Sequence, residues 1–291
     1  MNIFKQLSII IIGDDMENKK FIVAIVILTI LLLAALGFIG YDKFLKKDDE
    51  TIKTVINDAE MDLNVFYKVR DTLNNLDNAF NDTSNKYFGY IYGNNNVMIE
   101  KLDPKIALYA AIYGDIKRTN APQLITGAKV KSNLQNMFGK YVEYKASNIE
   151  WDQNSYIPYD KDNDFYTHQL PVVNDLKLPR YFASEVSTVI KEEEIVVKRK
   201  SYYVEYETDE AGTKRIKASI YTDKDKKKIV ATMNLKNGAI NDKEVMARYS
   251  SKLNTYLYTF KENNNKDYVL YSIEKVRKKT KCQFFFTIYD I

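Results

Sequence analysis

His168 is the only histidine in the 291-residue chain, and Cys282 is the only cysteine. Any Ser-His-Asp or Cys-His arrangement would therefore have to run through that one imidazole. It stands in Asp164-Phe165-Tyr166-Thr167-His168-Gln169, ahead of Pro171, with no nucleophile elbow around it, and reads as a structural or surface histidine. One His and one Cys do not complete a tetrahedral zinc site, and a single Cys excludes an internal disulfide. Neither a P-loop nor a dinucleotide glycine motif is present. The sequence thus points to no catalytic residue, no metal and no cofactor.

The densest concentration of acids and aromatics is Trp151, Asp152, Tyr156, Asp160, Asp162 and Asp164, and these six are the candidate ligand-binding residues. Asp160, Asp162 and Asp164 alternate as the first ligands of a calcium loop do. That loop would next need Gly where Phe165 stands and a bidentate Glu where Pro171 stands. A carboxylate pair in this stretch, with a sugar ring stacked on Trp151 and Tyr156, would suit glycoside cleavage. A solvated turn beside a core tryptophan accounts for the same residues. Residues 198–200 and 224–228 are basic runs, expected to solvate sheet edges and blunt strand pairing.

These residues need elements to position them, and the chain is organised from its front. Residues 21–41, FIVAIVILTILLLAALGFIGY, carry no charge and no proline. As a helix, residues 21–39 would rise roughly 28 Å, close to the ~30 Å hydrocarbon core of a bilayer. Lys19, Lys20 and Lys43 flank the run within reach of headgroups. The expected partner is therefore the lipid bilayer, engaged through residues 20–41, and a cleaved signal segment is the rival reading. Flanking lysines are nearly balanced. A short amino tail followed by a long domain favours the domain outside.

The expected domains are a tail at 1–18, with Met16 a plausible true start, and a transmembrane helix at 19–41. A juxtamembrane amphipathic helix follows at 42–86, then an extracytoplasmic α+β domain at 87–276 and a basic and aromatic tail at 277–291. Apolar residues from Ile52 to Phe80 recur every three or four positions, which predicts one long helix over 48–80 packed on its own domain. Asp103-Pro104 starts a helix running to about residue 117, and residues 128–138 form another, closed by Gly139. From residue 141 the period becomes two. Strands are predicted over 141–146, 155–159, 181–190, 195–207, 213–221, 229–235, 253–261 and 267–275, with turns at 209–212, 223–226 and 237–238. The fold class is α+β, helices packed on one face of an antiparallel β-meander. Residues 284–288 read as a last, buried or paired strand.

Val130 through Phe138-Gly139, then Tyr256, Tyr258 and Phe260 with Tyr268 and Tyr271-Ser272-Ile273, give residues 104–276 a resemblance. The stretch resembles uncharacterised single-pass membrane-anchored proteins of low-GC Gram-positive bacteria. The resemblance implies an extracytoplasmic domain and carries no activity.

Charge is nearly balanced, 43 basic against 39 acidic residues for a net +4, so no nucleic-acid partner is expected. The expected function is non-catalytic binding of a protein or envelope ligand by the outer domain. The alternatives are an envelope glycan hydrolase using residues 152–164, and a cytoplasmic-facing nucleic-acid-binding domain that uses the basic hairpins.

Overall fold

The computed structural model describes residues 62–93, 96–113, 116, 121–151, 156–168, 175–263 and 267–277, all within one unit, Ile52–Ile291. The expectations for residues 1–61, including the membrane helix, and for 278–291 lie outside the described residues. Among the described residues no helix is long and apolar enough to cross a membrane.

Helix α1 (Leu63–Phe80) starts where Asp62 accepts a hydrogen bond from the Asn64 amide at 2.8 Å. It buries Val69, Thr72, Leu73, Leu76, Ala79 and Phe80, one stripe at helical spacing. The stripe packs on the chain's own domain. A one-turn helix, α2 (Tyr90–Gly93), and a three-residue strand, β1 (Asn96–Met98), follow. Helix α3 (Pro104–Tyr113) is buried almost all round, from Ile106 to Ile112. Strand β2 (Gln123–Thr126) leads into α4 (Gly127–Phe138), capped by the Thr126 hydroxyl and closed by Gly139 at φ 55°. Residues 141–146 do not form the expected strand. The chain turns through a short 3-10 helix at Gly139–Tyr141 and continues irregularly, with Val142 buried against the core.

Four short strands come next: β3 (Ile149–Glu150), β4 (Tyr156–Ile157), β5 (Tyr159–Asp160) and β6 (Phe165–His168). Pro158 interrupts what would otherwise be one strand, as expected of a residue with no amide to donate. β3 pairs with β4, and β2, β6 and β5 form a small sheet.

The main sheet is antiparallel and has seven strands. Its remaining members are β7 (Arg180–Ile190), β8 (Glu194–Thr208), β9 (Arg215–Tyr221), β10 (Ile229–Asn234), β11 (Asn254–Glu262) and β12 (Tyr268–Lys275). It is not a simple meander: the order is β1-β12-β11-β8-β9-β10, with β7 also paired to β8. The fifteen residues of β8 make this possible. β7 lies along one flank, from Arg180 opposite Val204 to Ile190 opposite Ile195. The other flank is shared end to end, by β11 from Glu194 to Ser201 and by β9 from Tyr203 to Thr208.

Alternation along β8 sends its residues to two separate cores. Ile195, Val197 and Tyr203 join α1, α3 and α4 in the larger one. Tyr202, Val204 and Tyr206 face the opposite way, into a smaller core with Ala218, Ile220, Val230 and Val245. Val245 belongs to α5 (Asp242–Tyr249), so helices lie on both faces rather than the single face expected. Asn241 caps α5, and Asp242 and Glu244 fill its first turn.

Candidate functional site

A cleft of about 480 Å³ opens where the end of α1 meets the start of β7. One wall is the last turn of α1 and the three residues after it. The other is the chain from Leu178 to Ala183, with Tyr113, Ile116 and Arg215 completing the lining.

The carboxylates of this cleft are already engaged. Asp77 receives both terminal nitrogens of Arg199, one at 3.0 Å, and the Tyr92 hydroxyl at 2.5 Å. Arg199 also donates to the Ala183 carbonyl at 2.8 Å and lies 5.3 Å from the centre of the Tyr258 ring. Arg199 is buried at 7% exposure and Asp77 half-buried at 20% on the cleft wall, so bidentate geometry and the extra donors offset the desolvation of Arg199. Burial, then the neighbouring Asp77 charge, pushes the Tyr92 hydroxyl well above the usual tyrosine range, so it stays a donor. Asp82 accepts from the Ser84 amide and hydroxyl at 2.9 and 2.6 Å and from the Tyr113 hydroxyl at 2.9 Å. Asn81 spends its side-chain oxygen on the Tyr181 amide at 2.6 Å.

The cations face differently. Arg180 is exposed, its guanidinium 5.8 Å from the centre of the Phe182 ring. Arg215 donates from Nε to the Leu176 carbonyl at 2.8 Å and lies 4.0 Å over the Tyr206 ring. Ring contact orders Arg215, whereas Arg180 keeps a solvated guanidinium at the cleft, a charge suited to carboxylate, sulfate or phosphate.

Of the six residues picked out by acid and aromatic density, the five described do not line this cleft. Trp151 is 7% exposed; it stacks on Tyr113 at 6.3 Å and sits 4.4 Å from the His168 ring. Asp160 caps its own hairpin, accepting from the amides of Asp162 and Asn163 and the Asn163 side chain at 2.9, 3.1 and 2.9 Å. Those bonds, the Asn163 side chain first, hold its carboxyl below the usual range, opposite to what a general acid needs. Asp164 takes the Tyr159 hydroxyl at 2.7 Å and presses on Gly127, where an added Cβ would meet its Oδ1 at 1.9 Å. Tyr156 and Asp162 are exposed, and Asp152 lies outside the described residues. Among the described residues no group of three His, Cys, Asp or Glu is placed to hold a metal ion. His168 is 8% exposed, and its Nε2 has no hydrogen-bond partner among the described residues. Burial lowers its pKa to about 4 against the opposing pull of the Asp82 charge.

Asp77, Asn81, Arg180, Arg199 and Arg215 escape a search for motifs because they lie up to 138 positions apart. The available signal was arginine itself. The chain has seven arginines among 43 basic residues, and three of the seven stand in or beneath this cleft. Residues 198–200 also differ from expectation. They lie in the central strand rather than on an edge, with Arg199 and Lys200 6% and 7% exposed.

No protein-family model, no curated protein and no solved structure matches this chain.

Proposed function

We propose that the chain is a single-pass membrane-anchored protein whose extracytoplasmic α+β domain binds a protein or envelope ligand without performing chemistry on it. The cleft between α1 and β7 takes an anionic group of that ligand. One observation carries this reading. The acids of the cleft are spent on internal donors, while Arg180, exposed at its lining, brings a positive charge to the opening. An acid or base meant to act on substrate would keep an oxygen available to it. The anchor rests on residues 21–41, an uncharged run of spanning length.

Titration calorimetry of the detergent-solubilised chain with inorganic sulfate, citrate and a glycerol-phosphate polymer tests the cleft. At least one of these anions is expected to bind, with affinity falling about tenfold or more in Arg180→Ala and in Arg215→Ala. Binding that survives both substitutions sinks the assignment. Carbonate washing of membranes and protease treatment of intact cells test the anchor and its direction. Release by carbonate removes the anchor, and a domain protected in intact cells reverses the topology.

A further inference from the structure

Three strands of the main sheet have one paired side among the described residues: β1, β7 and β10. β1 is only three residues long. β7 is shielded: Asn81 occupies the Tyr181 amide, Arg199 occupies the Ala183 carbonyl, and the ladder shifts between Glu185 and Ser187. Each device blocks a further strand.

β10 has no such shield beyond an irregular first rung at Ile229 and Ala231. The Leu235 amide donates to the Ile216 carbonyl at 2.8 Å. In an alternating ladder, Ala231, Met233 and Leu235 therefore turn their backbone groups towards β9, and Thr232 and Asn234 turn theirs outward. Residues 229–235, IVATMNL, carry neither charge nor proline. Strands guarded against pairing usually place a lysine mid-strand. Here the middle is bare, and Lys228 and Lys236 stand at the two ends, exposed and without acidic partners among the described residues. Eight residues of extended chain separate them by roughly 27 Å. Beside the strand, a groove of about 520 Å³ runs between β10 and α5, with Met233, Leu235 and Tyr249 as its apolar lining.

We propose that the outer edge of β10 accepts an extended segment of a partner protein by strand addition, with an apolar centre and carboxylates at both ends. The backbone of the segment pairs with Thr232 and Asn234, alternate side chains enter the groove over Met233 and Leu235, and the flanking acids meet Lys228 and Lys236. No residue lines both this groove and the arginine cleft, and the proposal does not depend on the reading given to the cleft.

The probe is a synthetic peptide of alternating Val and Thr flanked by Glu pairs, measured by fluorescence anisotropy against the solubilised full chain. Two controls are the same peptide with Lys flanks and one N-methylated at alternate amides. We expect the acidic peptide to bind at least tenfold more tightly than either control. Lys228→Glu with Lys236→Glu reverses the flank preference. Thr232→Pro, which removes an outward amide, abolishes binding. The charge reversal lies on the surface and leaves folding unaffected, so it decides the matter even where the proline variant fails to fold. Arg180→Ala leaves peptide affinity unchanged. Equal binding of acidic and basic peptides, or indifference to N-methylation, overturns the proposal. So does sedimentation showing that the chain pairs through β10 with a second copy of itself.

Discussion

On one face of the main sheet, α1, α3 and α4 seal Leu76, Tyr109, Leu134 and Tyr258 to 2% exposure or less. On the other face the eight residues of α5 cover Tyr202, Val204 and Ile220 but leave Met233, Leu235, Ile240 and Tyr249 only partly covered. The first face holds a buried ion pair and a web of tyrosines. The second holds a groove and an undefended strand. Close packing on the first face is where stability is concentrated. The second, with less to lose, is where the chain can accommodate a partner.

The largest expected effect is on the closed side. Arg199→Met leaves half-buried Asp77 with only the Tyr92 hydroxyl as partner and should cost about 3 kcal/mol in urea unfolding, the low end for breaking a buried pair. Adding Asp77→Leu should recover much of that, because two apolar side chains then replace the two charges. A loss under about 1 kcal/mol for the single variant would mean that the pair is not the desolvated anchor inferred here.

A second pair of variants compares the faces directly. Leu134→Ala, at 1% exposure, should cost about 2–5 kcal/mol. Met246→Ala on α5 is partly exposed and should cost about 1 kcal/mol or less. Equal losses would erase the contrast between the two sides.

A smaller effect comes from His168, packed on Trp151 in the closed side. Its folded pKa of about 4 lies below the ordinary value of 6.5, so the unfolded chain binds the extra proton first as pH falls. Stability should therefore decline from about pH 6.5 and reach its full loss below about pH 4, by an amount on the order of 2–3 kcal/mol. His168→Gln should flatten that stretch of the pH profile. An unchanged slope would place the acid sensitivity elsewhere.

Periodicity made much of this architecture readable. The α1 stripe from Val69 to Phe80, the Gly139 stop and the long strands from β7 to β12 announce themselves through spacing and turn chemistry. Other elements lacked such a signal. Helix α5 is eight residues with one fully buried position, Val245, so its apolar stripe is too short to register, although Asn241 and the following acids marked its start. Residues 141–146 alternate as a strand does, yet among the described residues they pair with no strand. In the acid and aromatic cluster local density has separate local causes: Asp160 serves its own turn and Trp151 the core. The arginine cleft is assembled by topology, from a helix end, a strand start and a residue on β9.

The fifteen residues of β8 have a further consequence. Because the same strand is wall to both chambers, neither can melt while the other stays intact, and heating should produce one transition rather than two. Amide protons near the middle of that strand, locked by neighbours on either side, should be the last to exchange with deuterated solvent. The outward amides of Thr232 and Asn234 should be among the first.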